Sequence, residues 1–473
     1  MTESSLPVVP PTAAGPLFAT LPLAPAMLAN LAQLGYAAMT PIQAASLPLA
    51  LAGHDVIAQA KTGSGKTAAF ALALLAKLDA RRRDVQALVL CPTRELAEQV
   101  TQEIRRLARA EDNVKVLTLC GGTPAKPQVE SLAHGAHIVV GTPGRLMDHL
   151  ERGSLVLDGL NTLVLDEADR MLDMGFFDDI AAVAKQCPTA RQTLLFSATY
   201  PEGIAKLAAR FLKNPKTVTL AEAHAPSKIR QLFVEVKETE RLHAVVQLLN
   251  HHRPERTLAF CNTKQQCRDL VAVLRGQGLV ALELHGDLDQ KDRDQVLVRF
   301  VNRSASVLVA TDIAARGLDI VGLEAVINVD MALDADTHTH RIGRTGRADA
   351  QGVAYSLASL DEMGKVGDIE HAGGFSSEFV PLDSLTAGAA GALRPPMATI
   401  QILGGRKEKI RAGDVLGALT KDMGFAGSQI GKININDFST YVAVAQEIAP
   451  AVMKALASGK VKGRSVKARR LDD

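Results

Sequence analysis

Ala60-Lys61-Thr62-Gly63-Ser64-Gly65-Lys66-Thr67 lies between an apolar stretch, Val56 to Ala58, and an Ala/Leu-rich run, Ala68 to Leu78. The order reads as strand, tight loop and helix. Gly63 and Gly65 let the backbone curl so that successive N–H groups turn inward, Lys66 can reach the terminal phosphates of a nucleotide, and the Thr67 hydroxyl can ligate Mg²⁺. The helix N-terminus that follows adds partial positive charge. The first position of the usual phosphate-loop pattern is Ala60 here, so the loop points to a nucleotide-binding α/β unit without naming its kind.

The 473 residues exceed one ordinary hydrophobic core, and two or three domains are expected. A formal net charge of +2 excludes a polycation, so any nucleic-acid surface must be local. Five cysteines, at 91, 120, 187, 261 and 267, have no Cys-x-x-Cys spacing and no histidines at zinc-ligand intervals, which fits a reduced, cytoplasmic protein. No apolar run approaches the ~20 residues needed to cross a bilayer, and Met1 to Pro16 has no basic start. Neither an export signal nor a membrane partner is expected. Residues 1–16, rich in Pro, Ser, Thr and Ala, read as a disordered tail.

Upstream of the loop stand Phe18, Gly35-Tyr36 and Thr40-Pro41-Ile42-Gln43. A tyrosine ring offers a stacking face and a glutamine amide both donates and accepts, which suits adenine; the same residues also fit a helix cap at Thr40-Pro41 with a buried tyrosine. Downstream, Ala87 to Cys91 runs into Pro92-Thr93-Arg94-Glu95-Leu96-Ala97, Val114 to Cys120 into Gly121-Gly122, and Ala136 to Val140 into Gly141-Thr142-Pro143-Gly144-Arg145. Strands that each end in such a loop and lead into a helix predict a parallel sheet with helices on both faces and its ligands at one rim. Thr162 to Leu165 is followed directly by Asp166-Glu167-Ala168-Asp169. A carboxylate there, opposite a phosphate loop, is placed for a metal contact through Asp166 and for orienting water through Glu167; acidic residues at a helix start are also ordinary capping. Thr193 to Phe196 closes at Ser197-Ala198-Thr199, whose hydroxyls could relay between the carboxylates and the second half of the chain.

After a Pro-containing linker at 220–228 the pattern restarts without a phosphate loop. Strands at Arg256 to Phe260, Val280 to Leu284 and Ser306 to Ala310 end at Cys261-Asn262-Thr263-Lys264, His285-Gly286-Asp287 and Thr311-Asp312. The run His340 to Arg347 spaces arginines at 341, 344 and 347, which on a helical turn would aim them to one side. Guanidinium groups presented to a γ-phosphate stabilise phosphoryl transfer, and a solvated basic helix face is the plain alternative.

Taken together, Thr40 to Gln43, Ala60 to Thr67, Pro92 to Ala97, Gly121-Gly122, Thr142 to Arg145, Asp166 to Asp169, Ser197 to Thr199, Phe260 to Thr263, Gln290 to Arg293, Thr311 to Asp319 and His340 to Arg347 resemble, in order and spacing, the motifs of DEAD-box RNA helicases. The resemblance covers about residues 17–381. It implies two tandem RecA-like parallel-sheet domains, 17–219 and 229–381, an ATP and Mg²⁺ requirement, and RNA as partner. It further implies adenine contacts from Tyr36, Thr40 and Gln43, and phosphate contacts from Thr62, Gly63, Ser64, Gly65, Lys66 and Thr67. Thr67 and Asp166 would serve the metal, Glu167 the water, Ser197 and Thr199 the coupling, Gly317 and Asp319 the nucleoside, and Arg344 and Arg347 the transferred phosphoryl. Arg94, Gly122, Thr142, Gly144, Arg145, Thr263, Gly286, Arg293 and Thr311 would hold RNA, mostly by backbone contacts that do not read sequence.

Residues 382–396 read as a flexible connector. Beyond it, 397–473 carries thirteen Lys/Arg and seven Asp/Glu, a net +6 that leaves about −4 on the rest. The order strand, helix, strand, strand, helix, strand predicts a small α+β module like an RNA-recognition motif. Its third strand, Asp437 to Val444, keeps only Tyr441 of the aromatics such sheets use for stacking, so phosphate-seeking Arg406, Lys407 and Lys432 are the expected contacts. Gly404-Gly405-Arg406, Lys421 to Gly424, Ile430 to Ile433 and Phe438 resemble the tail of the DbpA type of DEAD-box protein. That resemblance implies a hairpin of large-subunit (23S) ribosomal RNA as target and a role on the pre-ribosomal large subunit. A general RNA helicase, an ATP-gated RNA clamp and a nonspecific tether stay open at this stage.

Overall fold

Apolar runs of four to six residues without a polar break need cover on both faces, and here they form strands sandwiched between helices. The computed structural model describes residues 15–471 apart from 61–62, 201, 220–228, 316–317, 319, 321, 347–350 and 386–392. The expected linker at 220–228 and the site residues Thr62, Gly317, Asp319 and Arg347 lie outside the described residues, as does most of the expected tail. The chain divides into two compact units, Met1–Ala225 and Pro226–Asp473.

In the first unit, β1 (Val56–Gln59), β2 (Ala87–Leu90), β3 (Val116–Leu119), β4 (Ile138–Gly141), β5 (Thr162–Leu165), β6 (Gln192–Ser197) and β7 (Lys216–Thr219) lie parallel in the order β3-β4-β2-β5-β6-β1-β7. Alternate residues of a strand enter different cores, as the two-residue period requires. Val56, Ala58, Val89, Val164 and Leu194 pack with the helices Lys66–Leu75 and Arg94–Leu107; Ile57, Leu88, Leu163 and Leu195 pack with Pro143–Glu151, Phe177–Gln186 and Glu202–Phe211. Because every strand points the same way, the loops after β1 to β6 share one rim.

The second unit repeats the design. β8 (Ile229–Glu235), β9 (Thr257–Phe260), β10 (Ala281–Leu284), β11 (Val307–Ala310), β12 (Ala325–Asn328), β13 (Gly352–Ala358) and β14 (Glu378–Phe379) form a parallel sheet in the order β10-β11-β9-β12-β13-β8-β14. Two tandem RecA-like sheets are therefore present, as expected.

The same unit carries the module. β15 (Met397–Leu403), β16 (Ile430–Ile435) and β17 (Ser439–Ala445) precede a two-stranded ribbon, β18 (Lys460–Val461) with β19 (Arg464–Ser465), and a last strand, β20 (Lys467–Arg470). The antiparallel order is β16-β17-β15-β20. Ala398, Ile400, Ile402, Val442 and Val444 face the helices Ala412–Gly417 and Ala449–Ser458 across the module's core. The first of these helices continues as a π-helical turn, Ala418–Asp422.

Thr399, Gln401 and Tyr441 alternate onto the opposite face, where RNA-recognition sheets stack bases. From Thr399 to Tyr441 that face is closed here, while Leu403 at its end stays exposed. Thr399 Oγ1 lies 2.6 Å from Ser304 Oγ and accepts from Asn302 Nδ2 at 3.3 Å, and Met397 N donates to Arg303 O. Tyr441 is 4% exposed, and its hydroxyl accepts from Gln401 Nε2 at 3.2 Å.

Candidate nucleotide site and RNA-facing loops

The phosphate loop needs two left-handed residues, and glycine supplies them: Gly63 has φ +82° and Gly65 φ +93°. A Cβ on Gly65 would also stand 2.5 Å from Gln43 Nε2 and 3.0 Å from Thr40 Oγ1. The glutamine motif is thus pressed against the loop. Gln43 Oε1 accepts from Thr40 N at 2.9 Å, and its Nε2 donates to Gly65 O at 3.0 Å. Both ends of the amide are engaged, so reading a base with this side chain requires exchanging these bonds. Tyr36 is half-buried, its ring edge-on to Phe18 at 6.0 Å and its hydroxyl bonded to the Glu103 carboxylate. Burial and that carboxylate both raise the tyrosine's pKa.

Lys66 is buried and donates to Ala60 O at 2.8 Å, folding back along its own loop. Asp166 at the end of β5 is 2% exposed, and its Oδ1 has no partner. Burial pushes its pKa up to about 7, against the pull of the Lys66 ammonium and helped by the neighbouring Glu167 carboxylate. The Ser64 hydroxyl is likewise buried without a partner.

Glu167 adopts φ +50°, a conformation uncommon outside glycine. Its Oε2 accepts from Arg170 Nη1 at 2.7 Å, and both side chains are buried. Sequence reading does not single out Arg170; only its place one turn beyond Glu167 could have suggested the pair. Asp169 Oδ2 accepts from Ala198 N (3.0 Å), Thr199 N (2.9 Å) and Thr199 Oγ1 (3.1 Å), while Asp169 N donates to Ser197 Oγ at 3.3 Å. Ser197 and Thr199 therefore meet the acidic cluster at Asp169. No bond from either residue to Asp166 or Glu167 is present among the described contacts.

The other loops of the first rim follow β2, β3 and β4, which are neighbours in the sheet. Arg94 pairs with Glu98 at 2.9 Å, Gly122 is left-handed at φ +75°, and Thr142 opens the helix Pro143–Glu151. The space beside Gly144 is open, whereas the Arg145 guanidinium donates to Thr123 O and Gln128 Oε1 at 3.0 Å. In the second unit Thr263, Gly286 and Thr311 follow β9, β10 and β11, again neighbours. Thr263 Oγ1 caps the helix Lys264–Gly276, and Arg293 donates to Ala314 O at 2.6 Å.

One expectation is corrected here. The arginines at 341 and 344 do not share a helical face, because the helix Ala335–Ile342 ends between them. Arg341 is 1% exposed and grips both Asp312 oxygens at 2.7 Å, Asn262 Oδ1 and Asp330 O, with its guanidinium over the Phe260 ring. It is a structural clamp. Arg344 follows the helix and donates to Leu318 O at 2.8 Å.

A phosphate loop, a strand-end acidic cluster tied to a Ser-Ala-Thr turn, and a second parallel sheet without a phosphate loop define a nucleotide-driven helicase core. Family models for the DEAD/DEAH box helicase match residues 40–207, for the helicase conserved C-terminal domain 240–349, and for the DbpA RNA binding domain 399–470. The chain is 51% identical over 451 residues, 95% of its length and 98% of the relative's, to the ATP-dependent RNA helicase DbpA of Escherichia coli. It is similar to Saccharomyces cerevisiae Dbp5 bound to RNA and ADP BeF3, with TM-score 0.72 and 30% identity over 78% of this chain and 96% of that one. It is also similar to Mss116p bound to single-stranded RNA and AMP-PNP, with TM-score 0.68 and 28% identity over 76% and 77%. The chain belongs to the DEAD-box ATP-dependent RNA helicases, and to the type that carries a DbpA RNA-binding domain. It is an RNA-dependent ATPase.

Proposed function

We propose that this helicase remodels large-subunit (23S) ribosomal RNA during ribosome assembly, directed by its C-terminal module to a hairpin of that RNA. The observation that carries the reading is the module itself: a net +6 domain, matched as a DbpA RNA-binding domain, whose sheet face is covered at Thr399 by Asn302 and Ser304 and keeps its one tyrosine, Tyr441, buried. A module of this kind meets RNA through its loops and edges, which suits a folded hairpin better than a run of single strand. Five unpaired, buried cysteines support a reducing, cytoplasmic setting.

The residues of the first rim fit a magnesium nucleotide. Asp166 carries a buried oxygen without a partner beside Lys66, and a Cβ could not enter the cradle at Gly65. Thr67 and Asp166 would hold Mg²⁺, which supplies charge neutralisation between the phosphates. Lys66 leaves Ala60 O for the phosphates, Gln43 exchanges its bonds for the adenine edge, and Glu167 orients the attacking water. Asp169 reports the state of this cluster to Ser197 and Thr199. Arg344 and Arg347 contribute positive charge to the transferred phosphoryl group, and Gly317 and Asp319 contact the nucleoside. RNA lies on Arg94, Gly122, Thr142, Gly144, Arg145, Thr263, Gly286, Arg293 and Thr311, with Arg406, Lys407 and Lys432 of the module on the hairpin.

The test is RNA-stimulated ATPase across ribosomal fragments, with the full chain and with 397–473 removed. The reading expects one large-subunit hairpin to stimulate far better than a random RNA of equal length, and the truncated chain to lose that preference. Equal stimulation by both RNAs would end it.

A further inference from the structure

The C-terminal module has three aromatic side chains, Phe425, Phe438 and Tyr441. Phe425 packs on the module's core and Tyr441 is closed on the sheet face. Phe438 is 70% exposed. It stands at the turn between β16 and β17, and its backbone is firmly held. Asn436 N donates to Ser439 O at 2.8 Å, and Gly404 N to Phe438 O at 3.0 Å. Arg406 N donates to Asn436 O at 2.9 Å, and Lys407 N to Asp437 O at 3.0 Å. Gly405 permits this contact, since a Cβ there would lie 2.1 Å from Asn436 O. The ring is therefore presented to solvent from a fixed frame and not from a loose loop.

Its surroundings are apolar and cationic. Leu403, 52% exposed, pairs in register with Ser439 on one side and Lys467 on the other. Arg406, Lys407 and Lys467 are exposed. The two nearby carboxylates are already engaged: Asp437 lies 3.7 Å from Arg406 Nη1, and Glu408 accepts from Gly405 N at 2.7 Å. A flat π-face held beside Lys407 and Lys467, which have no carboxylate partner among the described residues, and beside the exposed Arg406 matches the chemistry of a nucleotide, whose base stacks while its flanking phosphates meet the charges. A protein partner would have no need of that charge excess.

We propose that Phe438, with Leu403 beside it, stacks one unpaired base of the RNA, and that Arg406, Lys407 and Lys467 hold the phosphates flanking that base. The site takes over, at the end of the sheet, the stacking that the closed sheet face cannot perform. The inference deepens the reading of the module as the targeting element and rests on it.

The test uses the full chain without nucleotide and three RNA probes of equal length: a hairpin with an unpaired loop, a blunt duplex and an unstructured single strand. Phe438→Ala should weaken hairpin and single-strand binding about tenfold or more and leave duplex binding unchanged. Phe438→Trp should restore it, whereas Phe438→Leu should not, which separates stacking from mere apolar contact. Lys407→Ala should weaken all three probes and reduce the salt slope by about one. Unchanged affinity of the Phe438→Ala chain for both unpaired probes overturns the inference. If the wild-type chain shows no preference for the hairpin while Phe438→Ala still weakens the single strand, the stacking site stands and the hairpin targeting falls.

Discussion

At the scale of single residues, the acidic cluster holds charge under tension. Glu167 sits in the left-handed region and is neutralised by Arg170, both out of water. Such a conformation costs about 1–2 kcal/mol at a non-glycine residue and persists where the surroundings impose it. We expect Glu167→Gln to lower RNA-stimulated phosphate release by at least about 100-fold while nucleotide still binds, as loss of a water-activating group does; a nucleotide titration beside a turnover assay separates the two. Removing the partner should act differently. Arg170→Ala leaves a buried carboxylate unpaired and should destabilise the first unit by about 3 kcal/mol in urea unfolding. In the second unit His338 is buried, stacked on Phe233 and bonded to Gln231 at 2.9 Å. Burial, with Arg341 nearby, lowers its pKa from 6.5 to about 4. The unfolded chain therefore takes up a proton before the folded one, so this stability is complete above about pH 6.5 and is lost as pH falls toward 4. The loss should amount to about 3 kcal/mol, and His338→Gln should flatten it in urea melts run across that window.

At the scale of elements, the loops after strands were legible where the strand is a short, mostly apolar run that stops at a polar, Gly or Pro residue. Ala87 to Leu90 and Thr162 to Leu165 are of this kind, and their ends fall where the motifs start. The edge strand Lys216–Thr219 gave no such signal: it is mostly exposed, with one buried residue among polar neighbours. The arginine spacing at 341 and 344 misled because a three-residue interval says nothing about where the helix stops; Gly343, its C-cap, was the available cue. Nor could periodicity foretell that Thr399 would be covered by residues far away in the chain. That contact has a consequence for the element that bears it. Thr399→Val would strip the partner from Ser304 Oγ and Asn302 Nδ2 inside a closed surface, at about 1–3 kcal/mol. The expected result is faster hydrogen exchange along β15 and β17 near Gln401 and Tyr441, with exchange in the first unit unchanged.

At the scale of the whole molecule, the separation of charge assigns the two tasks of an RNA enzyme to different parts. The helicase core and N-terminal segment together carry about −4 and the module +6. Long-range attraction to an RNA polyanion must therefore come largely from the module, and in the proposed reading the core holds backbone by short contacts at its rims. The core contains all the chemistry derived for the nucleotide site, and the module contains none of it. Removing 397–473 should accordingly change binding more than catalysis. In a titration against a large-subunit rRNA hairpin over a range of salt, the full chain should show the steeper dependence of log affinity on log salt concentration. Loss of the module should reduce that slope by roughly three or more, the number of phosphates a patch of this charge can neutralise. Maximal ATPase at saturating RNA should stay within a few-fold. A truncated chain with an unchanged slope would place the phosphate contacts in the core and leave the module's charge without a role in binding.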